Sequence, residues 1–335
     1  MKAKFLIGLT GAAVATASVL ASAPAAAQDK IKLTFSTYWP TSYEYLYKPI
    51  ETFAGKVEKR TDGRVEIEIF HSAQLFGGKE EFGAVKRGDV DMSAPLDIYH
   101  TGKVSALGVS SLPFMWPSPA ALQKTLDAGL WAQGINQELA DHNMKVLNVA
   151  VGGPYQIYAK DVPVRAPSDL AGKKIAVSGT TASKAMQLLD ASPTTMSSGE
   201  LYLALQRGTI DGTTRPLLTG LGRNLYEVLD HLTITNMAYF TTFLVINRDT
   251  WESLPADVQQ VIQQAADERS ADQLDRLQTF LDEAVAQFED KGVQVQEASA
   301  QDLQAFKEEM APVYDWWTGE VEGAQKLIDF ARENQ

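Results

Sequence analysis

The feature that most constrains the fold of this chain is the alternation of strand-like and helix-like patterns that starts near residue 30. The segment IKLTFS reads as a strand, apolar residues recur at helical spacing from Ser42 to Arg60, and VEIEIF alternates apolar and acidic side chains. A helical pattern from Lys79 to Arg87 then leads to the short strand VDMSA. This β-α-β-α-β order is typical of a mostly parallel sheet with right-handed crossovers.

The alternation resumes after about Met144. The patterns predict strands in KVLNVAV, KKIAVS and GTIDG, helices over Thr181–Leu189 and Ser198–Gln206, and extended segments in HLTITN and AYFTTFLVIN. A chain of 335 residues is long enough for two compact units. We therefore expect an α/β protein with two such units.

One helical pattern is much longer than the others. It begins at Ser253, a candidate N-cap, carries Pro255 in its first turn and extends to about Asp290. A continuous helix of that length would measure about 50 Å, which exceeds the ~30 Å width of a small domain. We expect this helix to connect both units, with a break near Ser270 as the alternative.

The N-terminal segment has the features of a secretory signal peptide. Lys2 and Lys4 precede an apolar run from Phe5 to Leu20, and Ala25 and Ala27 form an Ala-x-Ala cleavage site. A membrane anchor is less favoured because the apolar run is short for a bilayer span. The sequence therefore predicts a signal peptide over residues 1–27 and a periplasmic location.

Composition and motifs argue against several functions. The net charge of −12 disfavours nucleic-acid binding, which needs clustered Lys and Arg. The chain has no cysteine, and no two of its four histidines lie within one helical turn, so we expect no metal site. No G-x-S-x-G, P-loop or H-E-x-x-H motif is present, and GLGRN lacks the third glycine of a dinucleotide loop. We expect neither a cofactor nor enzymatic activity.

Several polar and aromatic side chains follow predicted strands directly. Trp39 and Tyr43 come after the first strand, and Asp97 follows the strand VDMSA. In open parallel sheets this end of a strand borders the ligand crevice, although simple packing of Trp39 or an N-cap role for Asp97 is equally possible. Arg215, in LQRGTIDGTTRP, has no acidic residue within three positions. Its guanidinium needs an anion, either from a ligand or from a distant acid.

Six segments in order resemble a known family, the DctP-type periplasmic solute receptors of tripartite ATP-independent periplasmic (TRAP) transporters. These segments are GRVEIEIFHSAQLFGGKEEFGAVKRGDVDMS, LGVSSLPFMWPS, PVRAPSDLAGKKIAVSGT, ELYLALQRGTIDGTTRP, YEVLDHLTITN and LVINRDTWESLPADVQQVIQQAA. The resemblance implies a two-lobed periplasmic binding protein fold with a central cleft and a long lobe-spanning helix. It places lobe I at residues 28–152 plus about 241–280 and lobe II at residues 153–240 plus about 281–335.

The resemblance also implies a function. Such a receptor binds a small organic solute without catalysis and delivers it to the membrane permease subunits of the transporter, which an ion gradient drives. We expect a monomer. A receptor for an ABC transporter and a periplasmic enzyme on the same fold are the less favoured classes.

The chain departs from the family at the arginines that usually pair with the ligand. Members carry Arg in a K-I-R-V strand where this chain has Ala176, and many carry another in G-x-R where it has Tyr155. Arg215 stands where members often have Asn near the ligand. The predicted ligand-binding set is therefore Trp39, Tyr43, Asp97, Tyr155, Ala176, Ser178, Arg215 and Phe240.

Two ligand chemistries follow from this set. A small carboxylate or a zwitterion would be held by the planar guanidinium of Arg215. An amine or amino alcohol similar to ethanolamine would instead use Trp39 through a cation–π contact and Asp97 through its charge.

Overall fold

The computed structural model of the protein describes Met1 and residues 30–335, so the predicted signal peptide lies outside the described residues apart from Met1. The strands are β1 (Ile31–Ser36), β2 (Val65–Phe70), β3 (Met92–Ser93), β4 (Met144–Ala159), β5 (Lys174–Val177), β6 (Ser192–Thr195), β7 (Gly212–Pro216), β8 (His231–Ile234), β9 (Tyr239–Asn247) and β10 (Gln294–Glu297). The α-helices are α1 (Glu44–Arg60), α2 (Glu81–Arg87), α3 (Pro119–Asp127), α4 (Ile135–Asp141), α5 (Gly179–Leu188), α6 (Leu201–Gln206), α7 (Leu217–Gly222), α8 (Arg248–Ser253), α9 (Ala256–Asp267), α10 (Arg269–Asp290), α11 (Ala300–Met310), α12 (Pro312–Glu320) and α13 (Ala324–Asn334). Short 3₁₀ helices cover Asp97–Tyr99, Ser105–Ser111, Leu130–Gln133, Pro167–Leu170 and Leu225–Glu227.

The first half of the chain forms the β-α-β-α-β unit that its alternation predicts. Strand β1 pairs in parallel with β2 on one side and β3 on the other, and β3 continues into antiparallel β9 and β4. In β2, Val65 and Ile67 are buried and Glu68 is exposed, which is the half-buried pattern expected of VEIEIF. We call β2-β1-β3-β9-β4 the first sheet.

The second half builds a sheet on the far end of β4. Its strand order is β4-β7-β5-β6, with β7 antiparallel to β4 and parallel to β5. Strand β8 also pairs antiparallel with β4, and β10 pairs in parallel with β8. We call these strands the second sheet. Because β4 has 16 residues and pairs with β9 at one end and with β7 and β8 at the other, it belongs to both sheets.

The passage of β4 between the sheets is irregular. Its register against β9 shifts between Val151 and Gly153, which marks a β-bulge. At Gly152 an added Cβ would lie 2.0 Å from the Phe240 ring, so only glycine lets that ring pack against the strand. The β4–β9 crossing is therefore a tightly packed junction between the two sheets.

The long helical pattern is divided in the structure. The prediction that it begins at Ser253 is wrong, because Ser253 ends α8 and its hydroxyl donates to the Thr250 carbonyl. A break separates α9 from α10 at Glu268, two residues before the predicted position. Helix α10 alone has 22 residues, about 33 Å at 1.5 Å per residue, and contacts α1 beside the first sheet as well as α7 and β10 beside the second. The helix thus spans both units as expected.

The strand that carries Arg215 is displaced from its prediction. GTIDG is not the strand, because β7 begins only at Gly212 and contains Arg215 near its end. Arg215 lies opposite Gln156 of β4, so it is part of the sheet and does not follow it.

Among the described residues, no helix combines the length and the apolar character needed to cross a bilayer.

Candidate functional site

Buried polar atoms without partners collect where the strands of the first sheet end. Ser36 at the end of β1 is paired in register with Ser93 at the end of β3, and both hydroxyls are buried. Trp39 follows β1 and is fully buried. No described residue offers a hydrogen-bond partner to the two hydroxyls, to Trp39 Nε1 or to Oε2 of the buried Glu81. We call Ser36, Trp39, Glu81 and Ser93 the first wall.

Arg215 dominates the corresponding end of the second sheet. Its side chain is 0% exposed, and no carboxylate of the described residues lies within salt-bridge distance. Nη1 donates to the carbonyls of Thr214 (2.6 Å) and Ala176 (3.4 Å), and Nη2 donates to those of Val177 (3.3 Å) and Met196 (2.9 Å). Nε is buried and has no described partner. Neutral carbonyls therefore hold the guanidinium in place but leave its charge uncompensated.

Tyr155 and Ser178 lie beside Arg215. The Ser178 hydroxyl follows β5 directly and is buried without a described partner. Tyr155 packs edge-on against Phe240, with ring centroids 5.9 Å apart. Burial raises the pKa of Tyr155, while the nearby Arg215 charge opposes that rise. Tyr155, Ser178 and Arg215 form what we call the second wall.

Direct contacts join chain segments next to the two walls. Lys79 Nζ donates to the carbonyl of Thr195 at 3.2 Å, and the neighbouring Met196 carbonyl accepts from Arg215. The Tyr99 hydroxyl lies 2.9 Å from the Ser198 hydroxyl and accepts from the Ser198 N–H at 3.0 Å. These segments of the two predicted lobes are therefore in direct contact.

Tyr43 lies in the same interface. Arg223 Nε donates to its phenol oxygen at 3.3 Å, and Thr219 Oγ1 lies 3.4 Å from that oxygen. Arg223 Nη2 also lies 3.4 Å from the carbonyl of Tyr38, whose ring packs against Tyr99 with 5.6 Å between centroids. Tyr43 thus contacts the opposing unit through Thr219 and Arg223.

Asp97 is placed differently from its predicted role at an open crevice. It is fully buried, and Oδ1 accepts from the Ile98 N–H at 2.6 Å. Oδ2 accepts from the Thr241 hydroxyl at 2.6 Å and from the Ser110 hydroxyl. Burial raises its pKa to about 6, against the effect of these donors. Its two oxygens are therefore already occupied by protein groups.

Neither Ala176 nor Phe240 presents an exposed side chain at the site. The Ala176 carbonyl accepts from Thr213 and Arg215, while its methyl group packs in a buried apolar cluster with Tyr158, Leu201 and Leu205. Phe240 is 1% exposed and belongs to the β4–β9 junction.

Two cavities lie near these residues. An enclosed space of about 20 Å³ borders Tyr155 and Thr214, whose hydroxyl has no described partner, and is otherwise mostly apolar. A larger groove of about 660 Å³ runs along α10 between α1 and α7, away from the two walls. Among the described residues, no group of three or more His, Asp or Glu side chains could hold a metal ion.

Sequence reasoning missed Glu81, Ser198 and Arg223. Glu81 lies beside Phe82, Ala84 and Val85 on the buried face of α2, and an acid among apolar positions was the available signal. Arg223 has no acidic residue within three positions, the same feature that singled out Arg215. No local pattern distinguishes Ser198.

The chain is similar to a family of bacterial solute-binding proteins. The model of the family described as bacterial extracellular solute-binding protein, family 7, matches residues 35–320. The C4-dicarboxylate-binding periplasmic protein DctP of Rhodobacter capsulatus is 30% identical over 271 residues, which cover 78% of this chain and 79% of that protein.

Solved structures agree with the match in sequence. A TRAP periplasmic solute binding protein from Chromohalobacter salexigens with bound D-glucuronate superposes with a TM-score of 0.85 at 26% identity, covering 90% of this chain and 100% of that one. Another TRAP periplasmic solute binding protein, from Shewanella oneidensis with bound succinate, superposes with a TM-score of 0.84 at 25% identity. The match covers 90% of this chain and 98% of that one.

Proposed function

Because the chain belongs to family 7 of the bacterial extracellular solute-binding proteins and is a TRAP-type periplasmic receptor, we propose that it captures a small carboxylate through Arg215. The observation that carries this proposal is the fully buried guanidinium of Arg215, which has no described carboxylate within salt-bridge distance and keeps Nε unpaired. The family consists of solute-binding proteins, so the chain is a receptor and not an enzyme.

Energetics support an anionic ligand. An uncompensated buried charge is costly, typically several kcal/mol, and hydrogen bonds to neutral carbonyls offset only part of that cost. A ligand carboxylate would accept from Nε and neutralise the charge. Only Nε then offers a direct N–H to the ligand, since both Nη atoms already donate to carbonyls.

The relatives support the same ligand class. The Rhodobacter capsulatus protein is named for C4-dicarboxylates, and the two solved structures hold D-glucuronate and succinate. All three ligands carry a carboxylate.

The amine alternative is not favoured. It requires Asp97 to receive an ammonium group, but Ile98, Ser110 and Thr241 already donate to its oxygens. Trp39 offers an unpaired N–H, which suits an acceptor on the ligand better than a cation.

We infer the rest of the transport role from the family. The receptor would be exported to the periplasm after removal of residues 1–27, act as a monomer and deliver its solute to the permease subunits. Lobe I would comprise residues 28–152 plus about 241–280, and lobe II residues 153–240 plus about 281–335. The bulge between Val151 and Gly153 and the packing of Phe240 on Gly152 support a hinge at those boundaries.

The decisive experiment compares Arg215→Ala, Arg215→Lys and the control Arg207→Ala, which alters an exposed arginine. A thermal-shift screen of small acids, amines, amino alcohols and sugars identifies a binder, and calorimetry then measures its affinity. We expect Arg215→Ala to lose about 30- to 5,000-fold in affinity, because a charge-assisted contact in a dry site contributes about 2–5 kcal/mol.

Arg215→Lys should recover part of the loss, since it restores the charge without the carbonyl contacts. Circular dichroism establishes that each variant is folded. Unchanged acid affinity in folded Arg215→Ala, or a screen in which only amines bind, would show that the proposal is wrong.

A further inference from the structure

Glu81 is a buried carboxyl group that the proposed function leaves unused. It is the first residue of α2 and is 0% exposed. Oε1 accepts from the Tyr38 N–H at 2.5 Å, whereas Oε2 is buried without a described partner. Burial raises the pKa of this carboxyl well above its usual range, which favours the protonated form.

Two sets of contacts link the segment around Glu81 to the segment whose Met196 carbonyl accepts from Arg215. Two residues before it, Lys79 donates to the carbonyl of Thr195, and the next carbonyl, that of Met196, accepts from Arg215. Tyr38, which donates its N–H to Glu81, packs against Tyr99. Tyr99 in turn binds Ser198 in the same segment as Met196. Glu81 therefore lies on a segment that contacts the segment holding the Arg215 guanidinium.

The unpaired atoms of the first wall belong to hydroxyl, indole and carboxyl groups, with no cationic nitrogen among them. They are the hydroxyls of Ser36 and Ser93, Trp39 Nε1 and the carboxyl oxygen Oε2 of Glu81. Arg223 is a cation close to this wall, but it donates to Tyr43 and Tyr38, and it is partly exposed. The first wall thus suits a neutral polar group.

Building on the proposed function, we propose that the solute is a monocarboxylate whose far end carries a hydroxyl group, and that Glu81 receives this hydroxyl and selects against a second carboxylate. A hydroxyl both donates and accepts, so it can satisfy Oε2 and a neighbouring donor together. A second carboxylate would bring two carboxyl groups into one dry site, where both cannot be ionised cheaply. It would also bury a charge against a wall that offers no free cation to neutralise it.

The test uses matched acids of two to five carbons that differ only at the end remote from the carboxylate. At four carbons these are butyrate, 4-hydroxybutyrate and succinate. Calorimetry measures all of them against wild type, Glu81→Gln and the control Glu80→Gln, whose side chain is exposed. At the preferred length we expect the terminal hydroxyl to bind at least about 10-fold more tightly than the methyl or carboxylate analogue.

Glu81→Gln should lower the preference for hydroxyl over carboxylate by about 10-fold, because its amide N–H₂ can donate to a carboxylate. Glu80→Gln should leave the preference unchanged. If Glu81→Gln does not fold, the wild-type ranking alone decides. The inference is overturned if wild type prefers the dicarboxylate. It is also overturned if wild type shows no preference at any chain length, or binds none of these acids.

The Arg215 variants separate this outcome from failure of the proposed function. A wild type that prefers succinate, with affinity lost in Arg215→Ala, keeps the carboxylate receptor and removes only the hydroxyl selection. Such a result would point to Arg223 as the partner of the second carboxylate.

Discussion

The guanidinium carbon of Arg223 lies 5.4 Å from the centroid of the Tyr43 ring, while Arg223 Nε donates to the Tyr43 phenol oxygen at 3.3 Å. These residues are 180 positions apart. Tyr43 lies at the start of α1 and Arg223 at the end of α7, and the two belong to different predicted lobes. Ser42 adds a hydrogen bond from its hydroxyl to the Gly222 carbonyl at 3.1 Å. Together these contacts join the two predicted lobes without an ion pair between these segments.

Removing the Arg223–Tyr43 contact should therefore shift the protein toward its open form. We expect Arg223→Ala to weaken solute binding about 5- to 30-fold, mainly through faster release, because a partly exposed cation–π contact contributes about 0.5–1 kcal/mol and its hydrogen bonds add a similar amount. Stopped-flow release and scattering measure rate and compaction. Arg207→Ala is the control, and equal release rates in both variants would contradict the prediction.

Arg215 and Ala176 should behave as a coupled pair. Arg215 donates to the Ala176 carbonyl, so Ala176→Arg would bring a second guanidinium into the apolar cluster beside the first. We expect that single variant to destabilise the fold by about 3 kcal/mol or more. The double variant Ala176→Arg/Arg215→Ala should regain stability and part of the acid affinity. Urea unfolding of the four forms measures the coupling, and additive effects would refute it.

Gly108 is a position where the two predicted lobes approach each other closely. A Cβ added there would lie 2.7 Å from Trp317 Nε1 and 2.8 Å from Thr181 Oγ1. Gly108 belongs to predicted lobe I, whereas Thr181 and Trp317 belong to predicted lobe II. We expect Gly108→Ala to obstruct closure and reduce affinity about 10-fold or more, with the fold retained. A ligand-bound radius of gyration equal to that of wild type would argue against this role.

His100 should make the protein sensitive to acid. The ring is buried between Phe82 and Phe243, both nitrogens lack described partners, and burial, aided by Lys103, lowers its pKa to about 3. A depressed pKa means that the stabilising contribution is present above about pH 6.5 and is lost as the pH falls toward 3. The loss is about 1.4 kcal/mol per pH unit within that window.

His100→Leu should remove this dependence, whereas His71→Leu, at a partly exposed position, should not. Urea unfolding between pH 3 and pH 8 measures the slopes. Asp97, with its pKa raised to about 6, acts in the opposite direction, because its contribution is lost as the pH rises toward 6. The difference between wild type and His100→Leu isolates the histidine, and equal slopes would contradict its assignment.

Local patterns determined the elements of this protein and the region of its site. Alternation and helical spacing predicted most strands, together with α1, α2, α5, α6, α9 and α10, because such patterns depend on which side chains a single segment must bury. The remaining α-helices were not predicted. Six ordered segments identified the family, and the absence of acids near Arg215 marked it as a cation that needs a distant partner.

Only the tertiary structure decided which groups surround each cation and which acids are buried. The carbonyls that hold Arg215 belong to residues 176, 177, 196 and 214, most of them on other segments. The burial of Glu81, the occupation of Asp97 by Ser110 and Thr241, and the Arg223–Tyr43 contact arise in the same way. Hydrogen bonds between distant segments depend on how strands and helices pack, and periodicity within one segment carries no information about that packing.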